Sequence, residues 1–91
     1  MYLLFYDYVP DILDRRDPHR PAHLQLLRDL VAEGTLHMAG AYADPIDGAL
    51  FLFATEDERD VVAFVERDPY VAAGLVTAWR VRKWTIAVQQ G

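Results

Sequence analysis

The chain has 91 residues, of which 53% are hydrophobic and 25% charged, a balance that fits one small globular domain over residues 1–91. Nine basic against fourteen acidic residues leave a formal charge of -5, which disfavours nucleic acid and anionic membrane surfaces as partners. Serine, cysteine and asparagine are absent, so serine and cysteine nucleophiles are excluded; the only lysine, Lys83, lies in a predicted strand without an activating partner.

Acid-base work by His, Asp, Glu, Tyr and Arg is what remains. A chain this short, with no cysteine to staple it, gains stability by association, so a homodimer is expected. The opening MYLLFYDYV lacks a positive flank, a long apolar run and a cleavage site. A cytoplasmic protein without a membrane span is expected from that.

In chain order, Tyr2 to Tyr8 read as a strand rich in aromatic residues and leucine. VPDILDRRDP, with Pro10, Pro18 and several aspartates, reads as a connection. Pro21 suits the first turn of a helix running to about Glu33, and Gly34 suits its stop, with Leu24, Leu27, Leu30 and Val31 as its inner stripe. LHMAGAYA is a second strand, DPIDG a turn and ALFLFA a third strand, together a hairpin. Thr55 is placed as the cap of a second helix reaching about Arg67, with Val61, Val62, Phe64 and Val65 inward. DPYVAAG forms a short turn stopped by Gly74, and a final strand runs from Leu75 to about Val88.

This order is βαββαβ, the ferredoxin-like α+β sandwich: a four-stranded antiparallel sheet with two helices on one face. Leu3 and Phe5 point one way and Leu4 and Tyr6 the other, while Leu50 to Phe53 are apolar on both faces. Two helices cover one face only. The second face therefore wants another subunit, at about 25 cal/mol per Å² of apolar area buried.

Three histidines are candidates for chemistry. His19 and His23 are four apart, a metal-ligating spacing on a helix, but Pro21 places His19 at or before the helix start, and no metal is assigned. His37 falls in the second strand, where a structural role is ordinary. His23 shares a helix side with Leu27 and Leu30, which aims its imidazole at the inner edge; a boundary histidine capping a carbonyl is the other reading. Asp68 before Pro69 is a standard N-cap and first-turn pair. Arg20, Arg80, Arg82 and Lys83 suit a substrate carboxylate or simple surface ion pairs.

RPAHL at the start of the first long helix, AG (Ala39, Gly40) in the second strand and RDPYVAAGL before the last strand resemble the YCII-related domain family over essentially the whole chain. The resemblance implies a ferredoxin-like subunit that forms a dimeric α+β barrel, with His23 and Asp68 as the proposed active-site pair. A branch similar in motif removes HCl from a chlorinated hydroxyhydroquinone without metal or organic cofactor. Ala41 stands where many relatives carry proline, which opens the expected pocket rim.

The resulting expectation is a cofactor-free lyase or isomerase acting on a small cyclic or carbonyl-containing substrate. His23 serves as general base or acid, since imidazole ordinarily titrates at about pH 6.5, and Asp68 orients it. Arg20, Tyr70, Gly40 and Tyr6 are the substrate-binding candidates, Arg20 through a bidentate grip on an anionic oxygen. The alternatives are a non-catalytic homodimeric module that binds a metabolite or serves an interaction, and a barrel of the muconolactone-isomerase or cofactorless-monooxygenase type.

Overall fold

In the computed structural model, which describes Met1–Gly91, the apolar N-terminal run forms β1 (Tyr2–Tyr8) at the centre of the sheet. After it come α1 (Ile12–Arg15), α2 (Arg20–Ala32), β2 (Leu36–Ala41), β3 (Gly48–Phe53), α3 (Glu58–Arg67), α4 (Pro69–Ala72) and β4 (Val76–Lys83). The sheet order is β2-β3-β1-β4 with every neighbouring pair antiparallel, which is the ferredoxin-like arrangement.

Register explains the two faces. Leu4 pairs with Phe51 and Val81, and Tyr6 with Ala49, so these side chains share the face that α2 and α3 cover. Leu4, Tyr6, Tyr8, Phe51 and Phe53 are buried there with Val61, Phe64 and Val65 of α3 and Leu30 of α2. Tyr6, Phe51 and Phe64 pack ring against ring, with the Tyr6 and Phe51 centroids 4.7 Å apart. On the opposite face Leu3 sits across from Leu52, Phe5 from Leu50, and Met38 from Leu52; Leu50 is 38% exposed and Met38 58%.

Four local expectations are revised. The connection VPDILDRRDP contains the helical turn α1, whose Ile12 plugs into the core. The cap of α3 is Asp57 rather than Thr55: the Asp57 carboxylate accepts the Arg59 N–H, while the Thr55 hydroxyl accepts the Asp57 N–H and bonds the Asp60 carboxylate. The last strand stops at Lys83 instead of Val88, because Lys83 already pairs with Tyr2, and the Trp84 N–H reaches Met1, the end of the partner strand. Of the predicted inner stripe of α2, Leu30 is core, Leu24 and Leu27 are half-buried, and Val31 is exposed.

That last difference has a geometric cause. Ala39, Gly40 and Ala41 on β2 and Ala49 on β3 are too small to reach α2, so a gap opens between the helix and this edge of the sheet. No helix of the protein is long and apolar enough to cross a membrane.

Candidate active site

His23 lies in the first turn of α2, its backbone N–H donating to the His19 carbonyl, and its side chain points inward at 4% exposure. Asp68 sits at the junction of α3 and α4 in extended conformation (φ -71, ψ 120), ending one helix and capping the next. Pro69 suits the first position of α4, and Gly74, at φ 74, ends the segment in the left-handed region that glycine tolerates best. Because α4 packs against both α2 and α3, Asp68 is carried to His23 across 45 positions of sequence.

The Asp68 carboxylate is 1% exposed and fully used. Its Oδ1 accepts the His23 Nδ1–H at 2.7 Å and the Tyr70 backbone N–H at 3.0 Å; its Oδ2 accepts the Tyr6 hydroxyl at 2.7 Å. A carboxylate only accepts, so the proton of a neutral His23 ring resides on Nδ1, leaving Nε2 as the basic nitrogen. The imidazole is clamped further by Tyr70, whose ring stacks on it at 3.7 Å and 3°, and by the edge contact with Phe51. Capping and pairing are thus simultaneous roles of Asp68, not alternatives.

His23 opens onto a cavity of about 190 Å³. One wall is α2, with Arg20, His23, Leu24 and Leu27; the other is Ala39 to Ala41 of β2 with Ala49 and Phe51 of β3; Tyr8, Tyr70 and Arg16 close the end. An engineered apolar cavity of about 150 Å³ binds benzene, so this space suits one substituted six-membered ring. No three His, Cys, Asp or Glu side chains gather in a metal-ligating cluster.

Of the residues expected to meet a substrate, Arg20, Tyr70 and Gly40 line the cavity together with His23. Tyr6 does not. It is sealed at 0% exposure behind Asp68, because its odd partner in the strand alternation faces the open side while Tyr6 itself faces the helices, and its part is to hold the carboxylate. His37 is exposed on β2, and Arg80 lies on the far face of the sheet with its guanidinium 4.4 Å over the Phe5 ring.

Sequence reasoning placed Ala41 at the pocket rim, where it does line the cavity, but missed Tyr8, Arg16 and Ala49 as cavity walls. The run of small residues Ala39-Gly40-Ala41 opposite a helix is the signal that would have disclosed the space; nothing in DRRDP distinguishes Arg16 from Arg15. Burial pushes the Tyr8 and Tyr70 hydroxyls up from the ordinary tyrosine range, and for both the nearby Arg16 and Arg20 cations pull back against it. Burial, reinforced by the Asp68 charge, also raises Tyr6, which keeps it a hydrogen-bond donor.

Comparison with known proteins follows the same lines. No curated protein sequence matches the chain. Among solved structures it is similar to 5-chloro-2-hydroxyhydroquinone dehydrochlorinase from Burkholderia phenoliruptrix, in complex with 2,5-dihydroxybenzoquinone, at 28% identity and a TM-score of 0.78 over 92% of each chain. The YCII-related domain matches residues 1–85, and the chain therefore belongs to the YCII-related domain family.

Proposed function

We propose that the protein is a small enzyme of the elimination type that removes HX, dehydrochlorination being the leading case, from a single oxygenated ring. The observation that carries this reading is an imidazole held by a triply bonded carboxylate and lining a ring-sized cavity. The solved dehydrochlorinase of the same fold adds weight.

In the proposed step the ring reacts as its diketo tautomer, in which the halogen-bearing carbon is tetrahedral, and Nε2 of His23 takes a proton from the neighbouring ring carbon next to a carbonyl. The electron pair forms the new C=C bond as halide leaves from the adjacent carbon, so HX departs and no external oxidant is needed. Asp68 stabilises the imidazolium through the Nδ1–H bond and preserves the tautomer for the next turnover; Tyr70 offers its ring face to the same cation. Positioned acid-base catalysis of this sort contributes about 10²–10⁴-fold. The acid-base work belongs to the chain's own residues, without a cofactor.

Chloride release from 5-chloro-2-hydroxyhydroquinone tests the reading. Wild type is expected to turn it over, with His23→Ala and Asp68→Asn each slower by about 10²-fold or more. Folded variants that match wild type would refute the catalytic role of the pair. Tight ligand binding with no turnover on this or any elimination or isomerisation substrate would instead favour the non-catalytic binding module.

The homodimer belongs to the same proposal. Leu3, Phe5, Met38, Leu50 and Leu52 form an uncovered apolar sheet face, which supports packing against the sheet of a second copy.

A further inference from the structure

Two guanidinium groups converge on the cavity. Arg16 follows α1 and Arg20 opens α2, four positions on, so a single bend presents both to the cavity end, beside the Tyr8 and Tyr70 rings. Neither is paired with a carboxylate: the ion pairs of the chain are Met1 with Glu56, Arg15 with Asp11, Arg59 with Asp57, and His23 with Asp68. Both therefore bring uncompensated positive charge to the same cavity. The Nε–H of Arg16 is moreover buried with no acceptor, the only buried side-chain polar atom in this state. An orphaned buried donor is costly and points to an acceptor supplied from outside the chain.

The charged and titratable groups facing this space are Arg16, Arg20, His23, Tyr8 and Tyr70, with Asp68 behind the His23 ring and its oxygens already engaged. No free anion remains on the wall. The apolar remainder, Leu24, Leu27, Phe51 and the alanines, receives the body of a planar ring.

We infer that Arg16 and Arg20 form a receptor for an ionised ring oxygen, so that the ligand binds as a phenolate or enolate rather than as the neutral hydroxyl compound. Arg16 is the substrate-binding residue this assigns, its guanidinium donating to the oxyanion and Arg20 sharing the charge. The inference deepens the proposed function and rests on the same cavity, yet its test requires no turnover. Under it, the ring oxygen is anionic before His23 acts, and the two cations favour the electron-rich species from which halide departs.

4-Nitrophenol is a suitable probe, because its ionised form is coloured and its binding is read by absorbance without catalysis. With wild type, the bound probe should ionise about one pH unit lower than the free probe, a roughly tenfold preference for the phenolate. 4-Nitroanisole, which cannot ionise, should bind at least tenfold more weakly than the phenolate. Arg16→Met should abolish most of the preference and leave 4-nitroanisole binding unchanged. Arg16→Lys, which keeps the charge but lacks the planar fork, should retain a reduced preference.

His23→Gln should preserve the downward shift, which separates this receptor from the elimination chemistry and from any charge on the imidazole. A wild-type titration in which phenol and phenolate bind equally, or in which neither binds at millimolar concentration, overturns the inference without recourse to variants. So does a folded Arg16→Met protein with the shift intact. Loss of chloride release in His23→Ala, with the nitrophenolate preference retained, would leave both readings standing; loss of chloride release in His23→Ala from a wild type that shows no phenolate preference would sink the receptor alone.

Discussion

The Tyr6 hydroxyl is the least visible member of the site and one of the most consequential. Removing it in Tyr6→Phe leaves Asp68 Oδ2 buried without a donor, and a hydrogen bond to a charged group is worth about 1.5–3 kcal/mol. A loss of this size is expected in urea unfolding at pH 7; a change below about 0.5 kcal/mol would show that Asp68 is held by its other two bonds. The variant should also alter the alkaline limb of stability. Tyr6 is held protonated in the fold by burial and by Asp68, whereas the unfolded chain releases that proton at about pH 10. Above that pH the unfolded state binds fewer protons, so stability, complete below it, falls as pH rises. Removing the titrating group should make the decline above pH 10 shallower, measured by thermal melts from pH 8 to 11. At this scale the sequence was legible in part. His23 and Asp68 were recognisable through RPAHL and RDPYVAAGL, and Arg20, Tyr70 and Gly40 do line the cavity. Tyr6 was assigned to the substrate because strand alternation says which face a side chain takes but not what stands between it and a ligand.

At the scale of elements, the cavity exists because β2 is an edge strand of small residues facing a helix of leucines. Ala39→Leu should fill that space. Ala39 is exposed on an edge strand, so its replacement is expected to shift stability by no more than about 0.5 kcal/mol. It should nevertheless weaken 4-nitrophenol binding by tenfold or more; unchanged affinity would place the ligand elsewhere. Most elements were readable from capping and periodicity, since Pro21, Gly34 and the Asp68-Pro69 pair act through local backbone chemistry. The α2 stripe misled at Val31 because periodicity assumes a continuous wall opposite the helix, and β2 does not provide one. The α3 cap misled for a smaller reason: both Thr55 and Asp57 are good capping residues, and only the paths of β3 and α3 decide which one ends the turn.

For the whole molecule, the uncovered sheet face carries the main prediction. A standard interface buries roughly 800 Å² per partner, and the side chains of Phe5, Leu50, Leu52 and Met38 form an apolar centre for one. Light scattering at micromolar concentration should give twice the 10.4 kDa chain mass, and Phe5→Glu should return the protein to the monomer. A wild-type monomer would remove the face-to-face dimer from the proposal. Such a face was foreseeable, because strands apolar on both sides exceed what two helices can cover. What the sequence by itself determined is therefore local or additive: the order of strands and helices, the excess of apolar strand surface, the absence of serine and cysteine nucleophiles, and the two motifs. What only the tertiary structure decided is convergence. Asp68 meets His23 because α4 wedges against α2, Tyr6 closes on the far carboxylate oxygen, and Arg16 comes to line the space that Ala39, Ala41 and Ala49 leave open. These contacts join residues far apart in the chain, and no local propensity encodes the distance between side chains that meet only after the sheet and helices have packed.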